Sequence, residues 1–277
     1  MTYADYFMKA TGFDPYPYQA KLVESDGQFS LLRVPTGAGK TEAAVLGWLY
    51  LRCERANAAA PRRLVYCLPM RTLVDQTARR IEKWLENLCM TDDIGVVTLM
   101  GGEPRKQWYL EPEKPFIVVG TQDMLLSRAL NRGYGMGYNM WPVEYGLLNN
   151  DCLWVMDEIQ LMANGLPTST QLAGLRGKLA TFGPSRSIWM SATARCDWLD
   201  TIDHPAPGSD RVLELGCADF ADARLAKRHN ARKMLTKGAV DFRKQKDVAE
   251  LIADKHESGT LTPVSYTHLT LPTKRIV

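Results

Sequence analysis

Apolar runs that end in polar turns recur along the chain from residue 30 to residue 216. Units made of a strand, a loop and a helix are predicted at 30–51, 62–77 and 115–130. In the first unit, the strand, the loop and the helix are predicted at 30–34, 35–39 and 41–51. Further strands are predicted at 153–156, within 186–194 and at 210–216. Strands that alternate with helices predict an α/β fold with an open, mostly parallel sheet and helices on both faces.

The composition is that of a globular protein with a sizeable core. Its 277 residues are 45% hydrophobic, which suits one large domain or two modest ones. The formal net charge of +3 permits a nucleic-acid partner without arguing for one.

The cysteine pattern and the amino terminus narrow the cellular setting. Six cysteines are scattered without a C-x-x-C pair, so we expect reduced thiols rather than a zinc site or a disulfide framework. The first 15 residues are acidic and aromatic where a signal peptide is basic and then apolar. No apolar run approaches the roughly 20 residues of a membrane span. We therefore expect a cytoplasmic protein with no membrane partner.

The segment 34–41, VPTGAGKT, predicts a phosphate-binding loop. Gly37 and Gly39 would let backbone N–H groups converge on phosphates at the amino terminus of the following helix. The alternative is an ordinary strand-turn-helix with a stray lysine. The predicted nucleotide-binding residues of this loop are Thr36, Gly37, Ala38, Gly39, Lys40 and Thr41.

An acid pair follows the apolar strand at 153–156. Asp157 and Glu158 would lie at the carboxyl end of that strand, where the ligands of parallel sheets collect. We expect Lys40 to reach the β and γ phosphates, and the Thr41 hydroxyl to bind Mg²⁺ together with Asp157. Glu158 is expected to orient and deprotonate the attacking water. The alternative is a solvated acidic turn.

Five segments in this order resemble motifs I, Ia, Ib, II and III of superfamily 2 helicases. They are GAGKT, PMRTL, GTQDM, DEIQ and SAT. Upstream, FDPYPYQ at 13–19 resembles the glutamine motif that recognises adenine. The resemblance covers residues 13–195. It implies a first RecA-like domain over 1–200 that binds ATP and Mg²⁺.

Within this superfamily, the chain most resembles the CRISPR-associated helicase–nuclease of type I interference systems. The resemblance rests on ATGFDPYPYQ, VPTGAGKTEAA, LPMRTLVDQT and DEIQLM, and the early start looks closest to the subtype labelled U or G. It implies a motor that unwinds invading DNA and feeds it to a nuclease. The implied partners are single-stranded DNA and a guide-RNA surveillance complex.

The helicase resemblance also implies roles for polar residues outside the nucleotide loop. Gln19 would bind the adenine edge; the alternative is a surface glutamine that follows aromatic core residues. Phosphates of the bound strand would contact the loop residues Arg71, Thr72, Thr121 and Gln122. Ser191 and Thr193 would couple nucleotide state to strand binding through hydrogen bonds to the acid pair. The alternatives are a solvated arginine and a simple polar turn.

The chain departs from the family pattern after the last motif. Residues 201–263 are expected to complete the first domain and to form a basic linker toward a missing second RecA-like domain. The four histidines, none followed by aspartate, encode no metal-nuclease site. Because the arginine finger of the second domain is missing, the fragment itself is expected to be inactive. The tail at 264–277, VSYTHLTLPTKRIV, resembles the translation of a sequencing adapter and is expected to be non-native.

Two other functions remain open at this stage. One is another superfamily 2 helicase, either a restriction-type enzyme or a DEAD-box RNA helicase, although DEIQ differs from DEAD. The other is a nucleotide-dependent binding module without translocation.

Overall fold

The computed structural model describes residues 1–25, 27–101, 108–230, 241 and 245–256. The chain divides into two compact units, Met1–Asn230 and Ala231–Val277. In the second unit, the described helix is Gln245–Lys255. The tail predicted to be non-native, 264–277, lies outside the described residues. So do residues 231–240 of the basic stretch.

The first unit is built on one sheet. Its strands are β1 (Leu31–Arg33), β2 (Arg63–Leu68), β3 (Gly95–Leu99), β4 (Phe116–Thr121), β5 (Cys152–Met156), β6 (Arg186–Ser191) and β7 (Val212–Glu214). They form a seven-stranded sheet in the order β3-β4-β2-β5-β6-β1-β7. Every described pairing between neighbouring strands is parallel. The predicted α/β fold with a mostly parallel sheet is therefore confirmed.

Helices lie on both faces of this sheet. They are α1 (Tyr3–Thr11), α2 (Pro17–Glu24), α3 (Lys40–Leu49), α4 (Arg71–Leu88), α5 (Gln122–Ala129), α6 (Trp141–Asn149), α7 (Gly165–Leu179) and α8 (Ala223–His229). One group of buried side chains includes Leu46 of α3 and Ile81 of α4. A separate group includes Leu125 of α5 and Leu172 of α7. None of the described helices is both long and apolar enough to cross a membrane.

The central strands follow the apolar runs of the sequence. Every residue of β2, β4 and β5 is buried, because helices cover the sheet on both sides and leave no face for water. The helix predicted at 41–51 is α3, which continues into a π-helical turn at Tyr50–Glu54. The strand predicted at 210–216 contains the shorter β7.

Arg71 and Thr72 are not on a loop, as the sequence suggested, but open α4. The connection between β2 and α4 consists of Pro69 and Met70 alone. Met70 has an extended backbone, with φ −135° and ψ 148°, and occupies the N-cap position of the helix. The two side chains are therefore presented by a helix amino terminus.

The segment after residue 200 packs within the same compact unit as the strands before it. β7 pairs with β1 at one edge of the sheet. The buried carboxylate of Asp219 accepts hydrogen bonds of 2.8 Å from the backbone N–H groups of Tyr18 and Gly216. Since Tyr18 lies in the first turn of α2, this contact ties the segment to the amino terminus of that helix.

Candidate functional site

The glycine-rich loop connects β1 to α3 at the carboxyl edge of the sheet. Gly37 and Gly39 have φ angles of 81° and 83°, in the left-handed region where other residues are strained. A Cβ at Gly39 would also lie 2.6 Å from the amide nitrogen of the Gln19 side chain. Because α3 begins at Lys40, its first N–H groups open onto the loop. These features are those of an anion-binding helix terminus.

Lys40 joins this loop to the acid pair. Its side chain is only 5% exposed, and its Nζ lies 3.2 Å from the carbonyl oxygen of Val34. The same nitrogen lies 3.7 Å from Oε1 of Glu158. A buried ammonium group requires such partners, since its transfer out of water is costly. The structure thus brings together the two motifs that the sequence places more than 100 residues apart.

Asp157 is buried at the end of β5, beside Thr41. Burial raises the pKa of its carboxyl above the ordinary value, and a hydrogen bond from Tyr66 lowers that pKa in part. Oη of Tyr66 lies 2.6 Å from Oδ2 of Asp157 and 3.2 Å from Oγ1 of Thr41. Sequence reasoning missed Tyr66. The available signal was a lone tyrosine among the aliphatic side chains of β2, but its partner could not be known without the strand order.

The oxygen atoms around this point suit Mg²⁺. A cleft of about 400 Å³ is lined by the loop, by α4 and by Asp157 and Glu158. The Thr41 hydroxyl and the Asp157 carboxylate are hard oxygen donors, and a buried carboxylate with a raised pKa gains from a cation. The described residues hold no cluster of three or more metal-binding side chains. Mg²⁺ at this pair would therefore take its other ligands from phosphates and water, as it usually does.

Glu158 has an unusual backbone conformation. Its φ of 52° and ψ of 47° lie in the left-handed region, which costs energy for a residue with a side chain. Its N–H donates to Oδ1 of Asp157 at 2.9 Å, and its carbonyl accepts from Leu161 at 2.9 Å. The side chain is 22% exposed and faces the cleft. Strain of this kind is typical of functional positions.

A second cavity of about 180 Å³ lies against the loop, at the start of α2. Gln19 is almost fully buried there, with its amide accepting from the Tyr16 N–H and donating to the Gly39 carbonyl, both at 2.8 Å. The guanidinium of Arg224 lies 5.3 Å from the ring centre of Phe13 and 5.2 Å from that of Tyr16. Sequence reasoning missed Arg224 as well, because it placed this arginine in a basic linker.

A groove of about 850 Å³ runs along the ends of β2 and β4. Three of the predicted nucleic-acid contacts, Arg71, Thr121 and Gln122, line it together. Thr121 is the last residue of β4 and is only 7% exposed, and Gln122 opens α5. Thr72 is exposed but is not among the lining residues. The lining residues that sequence reasoning missed include Ser127, Asn164 and Thr168.

Ser191 and Thr193 do not make the hydrogen bonds to the acid pair that were expected. Ser191 is fully buried at the end of β6, and its Oγ accepts from the Thr193 N–H at 3.1 Å. The hydroxyl thus closes its own turn. Within the described residues, neither side chain bonds Asp157 or Glu158. Their coupling role stays a prediction.

Comparisons with known proteins agree with this fold. The family model for DEAD/DEAH box helicases matches residues 16–202. Among curated proteins, none matches the chain. The solved DUF1998 helicase MrfA bound to DNA shares 18% identity, with 77% of this chain and 29% of that chain covered, at a TM-score of 0.57. MrfA bound to DNA and AMPPNP shares 16% identity, with 79% and 29% covered, at a TM-score of 0.57.

The protein Mss116p bound to ssRNA and AMP-PNP shares 19% identity, with 72% of this chain and 39% of that chain covered, at a TM-score of 0.50. At such identities the structural likeness shows the RecA-like fold alone. The chain spans less than half the length of either protein. The family model, by contrast, covers more than half of the chain. The chain therefore belongs to the DEAD/DEAH box helicase family.

Proposed function

We propose that this chain is the ATP-binding half of an ATP-dependent DNA helicase. The observation that carries the proposal is the meeting of the phosphate loop and the acid pair in one cleft, where Lys40 lies 3.7 Å from Glu158. Family members complete such a site between two RecA-like domains, the second of which supplies an arginine finger. The unit described here supplies the nucleotide-binding side.

The contact between Lys40 and Glu158 suggests how nucleotide prepares the site. Phosphates against the loop would draw the Lys40 ammonium away from the Glu158 carboxylate. Oε1 of Glu158 would then be available to orient a water molecule and to accept its proton, while Oε2 accepts a hydrogen bond from the Gln160 amide. Thr41 and Asp157 would hold Mg²⁺, and bound Mg²⁺ supplies positive charge that offsets the charge of the phosphates.

The cavity at the start of α2 would take the base. Phe13 and Tyr16 offer aromatic faces, and Arg224 lies over both rings. Gln19 lines this cavity, and its amide oxygen, which accepts one hydrogen bond from the Tyr16 N–H, keeps a lone pair for the edge of adenine.

The groove along β2 and β4 would bind a nucleic-acid strand. Arg71 and the amino termini of α4 and α5 would contact its phosphates, together with Thr72, Thr121 and Gln122. Such contacts are indifferent to base sequence and weaken with salt. The helicase MrfA is bound to DNA and Mss116p to ssRNA, so fold alone leaves the strand type open. We favour single-stranded DNA because DEIQ differs from the DEAD sequence and because the motifs resemble those of a DNA helicase.

At the finest level, we propose a role in CRISPR type I interference, in which the intact protein feeds DNA to a nuclease and is recruited by a guide-RNA surveillance complex. The four quoted motif segments support this proposal. ATP hydrolysis by the intact protein should rise with single-stranded DNA and not with RNA. Stimulation by RNA alone would favour an RNA helicase, and ATP binding without any stimulated hydrolysis would favour a binding module.

Replacing Lys40 tests the nucleotide site directly. Lys40→Ala removes a buried cation that would contact two phosphates, so ATP affinity measured by calorimetry should fall about 100-fold or more. Lys178→Ala, which removes an exposed lysine paired with Asp203 on the surface, should leave affinity unchanged. Equal ATP affinity in the two variants would contradict the assignment of the phosphate loop.

A further inference from the structure

Tyr66 is a fully buried tyrosine whose hydroxyl lies between the two expected ligands of Mg²⁺. It stands in the middle of β2 between Val65 and Cys67, and its strand partners are Val155 of β5 and Val119 of β4. A phenylalanine would fill the same space. In the described part of the chain, the hydroxyl has no hydrogen-bond partner besides Asp157 and Thr41.

The chemistry of the three groups gives this contact a direction. A tyrosine hydroxyl is protonated at neutral pH and has a single proton to donate. An ionised Asp157 can only accept, so the shorter contact of 2.6 Å is a hydrogen bond from Tyr66 to Asp157. The 3.2 Å contact is then a hydrogen bond from the Thr41 hydroxyl to Tyr66.

This direction matters for a cation. A threonine hydroxyl binds a metal through a lone pair, so its proton must point elsewhere. Tyr66 accepts that proton, and it also holds Oδ2 of Asp157 in one orientation. We propose that Tyr66 is a positioning residue that orients Thr41 and Asp157 for Mg²⁺ bound with a nucleotide. The proposal rests on the proposed ATP site and adds a residue outside the loop and the acid pair.

Tyr66→Phe removes the hydroxyl and keeps the ring. ADP affinity would be measured by calorimetry at a series of Mg²⁺ concentrations. In Tyr66→Phe, the Mg²⁺ concentration that gives half of the gain in ADP affinity should be about tenfold higher than in the unsubstituted chain. A tenfold loss is typical of one hydrogen bond to a charged group. ADP affinity in EDTA should stay within about twofold, because the loop does not depend on the hydroxyl. The matched control is Tyr6→Phe, a buried tyrosine on α1 whose hydroxyl contacts the sulfur of Met90.

The outcomes separate this proposal from the proposed function. If the unsubstituted chain binds no ADP, the nucleotide site itself is wrong, and the role of Tyr66 falls with it. If the unsubstituted chain binds ADP with Mg²⁺ dependence and Tyr66→Phe has the same dependence, only the positioning role is contradicted. An equal loss of affinity in EDTA would mean that Tyr66 supports the loop instead.

A measurement on the unsubstituted chain covers the case in which Tyr66→Phe does not fold. A crystal structure with ADP and Mg²⁺ should keep the Tyr66 hydroxyl within hydrogen-bond distance of both Asp157 and Thr41. A hydroxyl turned away from both groups would overturn the proposal.

Discussion

Two buried polar side chains, Lys40 and Asp157, line the nucleotide cleft, and a third, Tyr66, contacts Asp157 from β2. Each is less than a tenth exposed, so each must find its partners within the protein. Lys40 has the Val34 carbonyl and Glu158, whereas Asp157 has the Tyr66 hydroxyl and a backbone N–H. These contacts hold the side chains in place before a nucleotide arrives. The arrangement favours binding at some cost to stability.

The cost can be located at Asp157. Burial is the largest influence on this carboxyl and raises its pKa above the ordinary value for aspartate, about 3.9. A raised native pKa means that the folded state holds the proton more tightly than the unfolded state does. Stability from this group is therefore present at low pH and is lost as pH rises from about 4 through the raised pKa. Above the raised pKa, the ionised carboxylate destabilises the fold.

Asp157→Asn should accordingly stabilise the protein while impairing Mg²⁺-dependent nucleotide binding. At pH 7 we expect Tm to rise by about 2–4 °C, the shift that about 1 kcal/mol makes in a domain of this size. The gain should shrink as pH falls through the raised pKa and should vanish below about 4, where this carboxyl is protonated in both the folded and the unfolded state. Calorimetric melting of Asp157→Asn and of Asp75→Asn, an exposed control on α4, would check this. A Tm at pH 7 that is unchanged or lower would argue against a destabilising carboxylate.

Glu158 should act on water rather than hold the nucleotide. In the intact protein, Glu158→Gln should keep ATP affinity within a few-fold and lower turnover by about 10² or more, because an amide cannot accept the proton. Equilibrium binding and steady-state hydrolysis would be measured side by side. Hydrolysis at the rate of the parent would place the base elsewhere.

At the scale of elements, α2 and the segment that carries β7 and α8 form one support for the loop. The side chains of Tyr18 and Gln19 on α2 donate to the carbonyls of Ala38 and Gly39, at 2.6 and 2.8 Å. Asp219 binds the amino terminus of α2 from the other side. The segment after residue 200 therefore helps to position α2, which carries the glutamine motif.

Arg224 on α8 gives this arrangement a measurable consequence. Its guanidinium is held by Asp222 at 2.9 Å and lies over Phe13 and Tyr16. If it helps to enclose the base, Arg224→Ala should weaken ATP binding by about 2- to 10-fold, the range of a cation–π contact of about 0.5–1.4 kcal/mol. Inorganic triphosphate, which has no base, should bind both proteins equally.

Calorimetry with ATP and with triphosphate would separate the two effects. Arg195→Ala, an exposed arginine paired with Asp197, serves as the control. Equal losses for ATP and triphosphate would mean that Arg224 acts on the loop and not on the base.

At the scale of the whole molecule, the parallel sheet places both candidate sites on one edge. The cleft lies at the ends of β1, β2 and β5, and the groove at the ends of β2 and β4. The end of β2 therefore borders both, with Tyr66 near the cleft and Arg71 in the groove.

Arg71→Ala should weaken binding of single-stranded DNA by a similar factor for every sequence. The dependence of log affinity on log salt should lose about 0.7 of slope, the value of one phosphate contact on a single strand. Arg79→Ala, an exposed arginine about two turns further along α4, is the matched control. Unequal losses among base sequences would point to base contacts, and an unchanged slope would remove Arg71 from the interface.

The sequence by itself determined the features that depend on contiguous residues. The loop at 34–41 needs a strand, two glycines and a helix start, all within reach of a short pattern. The acid pair after β5 and the polar residues after β2, β4 and β6 follow from one rule, since parallel strands end on the same edge. The α/β fold could be predicted from the sequence because strands alternate with helices along it.

Only the tertiary structure decided which distant residues meet. Tyr66 and Asp157 are 91 residues apart and touch because β2 lies beside β5, an order that periodicity does not encode. Arg224 donates to the carbonyl of Asp14, 210 residues away, because the segment after residue 200 packs against the start of α2. The Ser191 hydroxyl accepts a hydrogen bond from the nearby Thr193 N–H, so this buried group finds its partner within two residues and not at the acid pair. Local patterns report what one segment can form, whereas contacts between segments depend on how the whole sheet is ordered.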